Sequence, residues 1–179
     1  MTAKEVENQV LAFVESQHLE KAIELIINQY QRKIYYQVRR YITFHDEADD
    51  ILQEVFIKVW KGLPNFKFES ALTSWIYRIT VNECLGYIRS NKKHLHNLDA
   101  QAYENHLKSD VFFDGDEFER KLQSAVAMLP EKQRVVFIYK YFEDLKYEQI
   151  ADILGGTVGS LKASYHHAVK KIEETLNED

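Results

Sequence analysis

The chain has 179 residues, a formal net charge of -5 and 45% hydrophobic residues, which is room for one large domain or two small ones, each with an apolar core. A single cysteine, Cys84, excludes an internal disulfide and a multi-cysteine zinc site. No run reaches the ~18 apolar residues of a membrane span. The acidic, amphipathic opening "MTAKEVENQVLAFVESQHLEKAIELI" has no basic segment followed by an apolar one, so no signal peptide is expected and the chain is expected to be cytoplasmic.

With only six glycines and two prolines, long helices are expected, and an all-α fold. The N-terminal part reads as four of them. The first covers about 4–16, with Val6, Val10, Phe13 and Val14 inward. The second covers about 19–43, with Ile23, Ile27, Tyr30, Ile34, Val38 and Tyr41 on one stripe. The third covers about 46–62 and ends at "KGLPNF", where Gly62 and Pro64 break helical geometry. Its core side is Ile51, Val55, Phe56 and Val59. Its other side groups Asp50, Gln53 and Glu54, a polar face with no use inside a core.

The fourth helix covers about 70–93, with Ser70 as the expected N-cap. Arg78, Asn82, Arg89 and Lys93 fall at i, i+4, i+11 and i+15, one stripe with Trp75 at its start and Gly86 in its middle. A long cationic stripe with an aromatic end suits a phosphate backbone and an unstacked base; it equally suits a solvated helix face. The preceding loop, "NFKFES", sets Phe66 and Phe68 around Lys67 after Asn65. Loop aromatics can stack on an extruded base, or simply pack on the core.

The charge is unevenly placed. Residues 94–119 hold one basic and seven acidic residues, whereas residues 1–93 hold 13 basic and 12 acidic ones. This middle segment has weak apolar periodicity and the turn signal Asp114-Gly115-Asp116, so it reads as an acidic linker between domains 1–93 and 120–179.

In the C-terminal part, "LPEKQRVVFIYKYFEDL" opens with Pro130 at a first helical position and has a core face of Val135, Ile138, Tyr139 and Phe142. "KYEQIADILGGTVGSLKASYHHAVKKIEETL" reads as helix, tight turn, helix, turning at Gly155-Gly156 with Thr157 as N-cap. Leu161, Tyr165, Ala168 and Ile172 form the core stripe of the last helix. Lys162, Ala163, His166, His167 and Lys170 face outward, the layout of a helix that enters a DNA major groove. Other chemistry is thin. His94 and His96 have no third ligand, and no phosphate-cradling loop or nucleophile motif is present, so neither a cofactor nor an enzyme activity is expected.

Two blocks together resemble a known family. "DEADDILQEVFIKVWKGLPNFKFESALTSWIYRITVNECLGYIRSNKK" is similar to region 2 of the bacterial sigma-70 family, extracytoplasmic-function branch. "LPEKQRVVFIYKYFEDLKYEQIADILGGTVGSLKASYHHAVKKIEETL" is similar to region 4 of the same branch. The resemblance implies a sigma factor that binds core RNA polymerase, directs it to promoters and helps melt the minus-ten region. It implies that Asp50, Gln53 and Glu54 meet the β′ clamp helices. Asn65, Phe66, Lys67 and Phe68 would capture a flipped minus-ten base, and Trp75, Arg78, Asn82, Arg89 and Lys93 would hold the minus-ten DNA. It implies that Ser160, Lys162, Ala163, Ser164, His166, His167 and Lys170 read the minus-thirty-five element, that region 4 meets the β flap, and that a membrane-bound anti-sigma factor is a partner. The sequence departs from the family pattern at Gly86, where Asp is usual, and at Ser164, His167 and Val169, where Arg is frequent. The reading helix is therefore poor in arginine. Two other classes fit parts of the chain: a helix-turn-helix regulator that acts without polymerase, and a helical adaptor that binds only protein. The Asp50 face and the Phe66–Phe68 loop speak against the first, and the α-helical basic stripe against the second.

Overall fold

The computed structural model describes residues 1–91 and 99–177, and all the regular elements among them are helices. The first helix, α1 (Ala3–Glu15), starts at a capping box in which Thr2 and Glu5 satisfy each other's backbone N–H groups. A turn with Gln17 at φ 62° leads into α2 (Leu19–Tyr41). Its buried stripe is Ala22, Ile26, Tyr30, Ile34, Val38 and Tyr41. Ile23 and Ile27, expected inside, are only half-buried, because α1 packs on α2 and draws the Ala22–Ile26 side inward. Helix α3 (His45–Gly62) carries Asp46 and Glu47 in its first turn and Lys61 in its last, each complementing the helix dipole. It buries Ile51, Val55 and Val59 and runs into a short 3-10 turn, Leu63–Asn65, that contains Pro64.

Helix α4 (Leu72–Ser90) does not use Ser70 as its cap. Ala71 holds the N-cap position and makes no side-chain cap. The carboxylate of Glu7, on α1, instead accepts from the Leu72 N–H at 2.7 Å.

The segment expected as a solvated linker folds. Asp99 caps α5 (Ala100–Ser109), which buries Tyr103 and Leu107. Asp116 and Glu119 form the capping box of α6 (Glu117–Ala127). Asp110 pairs with Arg39 of α2, both side chains being nearly buried. At Arg39 burial opposes the charge, but hydrogen bonds to Tyr35 and Asp110 outweigh it and raise the guanidinium pKa. Much of the local acidity thus serves caps and one buried pair. Helix α7 (Glu131–Phe137) continues as a π turn, Ile138–Phe142. Then come α8 (Tyr147–Leu154) and α9 (Val158–Asn177).

Helices α1–α4 pack together, as do α5–α9, and one apolar cluster runs through both groups from Val6 to Ile172. The join has a definite chemistry. The last carbonyls of any helix lack intrahelical partners. At the end of α2 the other half of the chain supplies them. Gln123 Nε2 donates to the Arg39 and Arg40 carbonyls, both at 3.1 Å, and Arg134 donates to the Tyr41 carbonyl at 2.6 Å. Tyr139 Oη donates to the Tyr77 carbonyl at 3.0 Å, and the Arg40 guanidinium sits 3.8 Å over the Phe142 ring.

Candidate nucleic-acid and protein interfaces

On the outer side of α3, Asp50, Gln53 and Glu54 are all exposed. Two apolar side chains that the sequence reading did not assign continue this face. Ile57 is 39% exposed and Trp60 58% exposed. Their signal was available: Ile57 and Trp60 lie four and seven positions after Gln53, on the polar side of the helix. An exposed tryptophan beside carboxylates is the composition of a protein-binding patch. Lys58 is drawn off this face by an ion pair with Glu83 of α4.

The loop after α3 forms an aromatic stack. Phe66 lies against Trp75, with centroids 4.6 Å apart and planes 20° apart, and against Phe68 at 4.6 Å. All three rings are half-buried, while Asn65 and Lys67 are exposed. Phe68 holds a left-handed backbone, φ 55°, a conformation that costs a non-glycine residue of order 1 kcal/mol. Gly62 makes room for the stack, since a Cβ there would lie 2.9 Å from Trp75 Cζ2.

Along α4, Arg78, Asn82 and Arg89 are exposed on one side, with the Gly86 position open between them. Two of the three side chains are engaged. Arg78 donates from Nε to the Ile153 carbonyl at 3.1 Å and from Nη2 to the Asp152 carbonyl, at the end of α8. Arg89 forms a two-pronged pair with the Glu131 carboxylate. Lys93, His94 and His96 lie outside the described residues.

In the helix-turn-helix, Gly155 and Gly156 take φ of 77° and 87°, the left-handed region that glycine enters freely. Thr157 Oγ1 accepts from the Ser160 N–H at 3.1 Å and starts α9. Lys162, Ala163, His166, His167 and Lys170 are exposed, and Ser160 is half-buried. Ser164 is not on the reading face. It is 9% exposed, and its hydroxyl donates to the Ser160 carbonyl at 3.0 Å. It stands three residues after Leu161 and four before Ala168, which puts it on the core stripe. Among the described residues no group of three His, Cys, Asp or Glu could hold a metal ion.

Comparison with known proteins gives a consistent picture. Residues 26–94 match the family model described as Sigma-70 region 2, and residues 119–172 match Sigma-70, region 4. The chain is 30% identical to the ECF RNA polymerase sigma-E factor of Haemophilus influenzae, across 97% of each chain. It is 28% identical to the RNA polymerase sigma-H factor of Pseudomonas aeruginosa, covering 87% of this chain and 86% of that one. Its fold is similar to CnrH in complex with the cytosolic domain of CnrY: TM-score 0.73, 16% identity, 97% of this chain and 99% of that one. It is also similar to the sigma factor RpoE in complex with the anti-sigma factor NepR from Bartonella quintana: TM-score 0.67, 22% identity, 89% of this chain and 99% of that one.

Proposed function

This chain belongs to the sigma-70 family of RNA polymerase sigma factors, in its extracytoplasmic-function branch, and on that premise we propose which residues perform each part of its work. The protein is a transcription initiation factor and not an enzyme; it directs core RNA polymerase to promoters. Residues 1–93 form the polymerase and minus-ten module, and residues 120–179 the minus-thirty-five module, joined by 94–119.

The α3 face of Asp50, Gln53 and Glu54, widened by Ile57 and Trp60, docks on the β′ clamp helices. Its carboxylates pair with basic side chains, and Trp60 supplies the apolar anchor of the contact. The loop Asn65–Phe68 takes the flipped minus-ten base, which inserts by displacing Phe66 from Trp75, one stack replacing another. Arg78, Asn82, Arg89 and Lys93 hold the phosphates of the opened strand. No nucleotide hydrolysis is needed, because polymerase binding and base capture offset an extrusion cost of a few kcal/mol per base. Lys162, Ala163, His166, His167 and Lys170 face the major groove of the minus-thirty-five duplex, and region 4 rests on the β flap. The protein acts in the cytoplasm. Among its described residues no helix is long and apolar enough to cross a membrane, so retention at the membrane would come from a membrane-bound anti-sigma factor. The NepR complex of a protein with this fold supports an anti-sigma factor as a partner.

The observation that carries this reading is the exposed Asp50–Trp60 face on the same body as an outward basic helix after a glycine turn. Run-off transcription by purified core polymerase on a promoter library tests it. Initiation at a defined sequence that depends on this protein is the expected result. Specific duplex binding without polymerase-dependent transcription would instead indicate an ordinary helix-turn-helix regulator.

A further inference from the structure

We propose that the cavity bounded by the end of α2, the second half of α4, α5 and the α6–α7 turn is a binding site for a small aliphatic monocarboxylate. The cavity has a volume of about 480 Å³, a size that suits a small organic molecule. Much of its wall is aliphatic: Ile42, Leu85, Ile88, Leu129 and Pro130 all line it. An alkyl body seated there removes apolar surface from water on both sides of the contact.

The polar part of the wall selects the head group. Tyr41, Tyr103 and Arg134 line the same cavity, and each is more than nine-tenths buried. Tyr41 Oη, Tyr103 Oη and Arg134 Nε have no hydrogen-bond partner among the described residues. Arg134 uses its Nη2 to donate to the Tyr41 carbonyl, which fixes the guanidinium and leaves the Nε–H over. Burial pushes the Tyr41 phenol well above its ordinary pKa, so it stays protonated and able to donate. Buried polar atoms are ordinarily paired, and an orphan is a costly exception. Here three of them, all able to donate, belong to side chains around one cavity.

A carboxylate is the complementary group. It offers acceptors only, about four lone-pair sites, and its charge strengthens each bond it accepts. Two carboxylates already belong to the wall, Glu47 and Glu131. Glu131 is committed to the two-pronged pair with Arg89, so it is not open to a cationic head group. The unmet capacity of the site lies in its donors, which favours an anion.

The test uses the full chain and sodium octanoate as the probe, with 1-octanol and octylammonium chloride as neutral and cationic chains of the same length. Titration calorimetry and thermal melting are the readouts. Octanoate is expected to bind at least tenfold more tightly than either control and to raise the melting temperature as its concentration increases. Tyr103→Phe removes one orphan hydroxyl and keeps the ring. Without octanoate it is expected to melt at or above the wild-type temperature, and it is expected to bind octanoate about tenfold more weakly, the range of one hydrogen bond to a charged group. Ala127→Phe, from a half-buried position on the wall, fills the cavity and is expected to abolish octanoate binding. Should that variant fail to fold, Tyr103→Phe still decides. Octanoate binding no tighter than octanol would overturn the carboxylate assignment. Equal octanoate affinity in Tyr103→Phe and the wild type would place the probe outside this cavity and overturn the site. No binding of any of the three chains would mean that the cavity takes only water, and the proposal fails.

Discussion

Glu7 and Leu72, 65 positions apart, form the start of α4: the carboxylate of one accepts the N–H of the other at 2.7 Å. Helix α1 therefore serves as the cap of α4. Burial pushes the Glu7 pKa up, but the hydrogen bonds with Lys4 and the Leu72 N–H outweigh it and hold the carboxyl below the ordinary glutamate value. Its stabilising contribution is thus present above the unfolded glutamate pKa and lost as pH falls through the lower folded one. Glu7→Ala should cost about 1 kcal/mol at pH 7, the usual value of a lost cap, and less at pH 3. Urea unfolding at the two pH values checks this; an equal loss at both would mean the carboxylate charge is irrelevant.

The α3 face gives a second expectation. Gln53→Ala with Glu54→Lys, and separately Trp60→Ala, should weaken core polymerase binding at least tenfold, about 1.4 kcal/mol, with little change in melting temperature. All three side chains are exposed, so the fold does not depend on them. Unaltered polymerase affinity in both variants would remove this face from the interface.

Gly62→Ala tests the aromatic stack. Alanine favours the helix by roughly 0.5–1 kcal/mol over glycine, but its Cβ would press on Trp75. Stability should therefore change little, while tryptophan fluorescence shifts and promoter opening slows several-fold. Normal opening with a shifted fluorescence would mean that the stack does not hold the base.

A pH effect is expected at the join. At Glu143 burial leads and raises the carboxyl pKa, despite the opposing charges of Lys33 and Arg40. The stability linked to its protonated form is fully present below the unfolded glutamate pKa and is lost as pH rises through the raised folded value. Glu143→Gln is neutral throughout and should gain on the wild type as pH rises from about 4, the ordinary glutamate range, upward. Denaturant midpoints that keep a constant offset across that range would contradict this.

On α9, Ser164 and His167 should respond in opposite ways to arginine. Ser164→Arg forces a charge into a packed position and should destabilise the fold by several kcal/mol. His167→Arg is exposed and should tighten binding to minus-thirty-five duplex libraries, with a shift toward guanine. A melting curve for the first and a binding selection for the second decide the matter.

Much of this was legible in the chain, for identifiable reasons. Apolar residues at helical spacing marked α1–α4 and α9, and a glycine pair followed by threonine marked the turn. Helix α5 escaped because only Tyr103 and Leu107 mark its buried side, and its flanking aspartates resemble solvent-facing charge although Asp99 and Asp116 are caps. Ser164 was misplaced because a short polar side chain suits a groove, while its spacing from Leu161 and Ala168 belongs to the core. The joining of the two halves at the end of α2 could not be read at all. It depends on partners such as Gln123 with Arg40 and Arg134 with Tyr41, 83 and 93 positions apart, which leave no local pattern.

The unbroken apolar cluster has a consequence for the protein's lifetime in the cell. Tyr77 and Tyr139 stack across the join with centroids 6.0 Å apart, so parting the halves would bare both rings. A copy that opens without polymerase exposes that surface, and proteases sample open forms in proportion to their population. A copy that opened on polymerase would be covered by the enzyme. Turnover would then remove idle, opened molecules and spare engaged ones, so the abundance of this factor would follow the supply of free core enzyme.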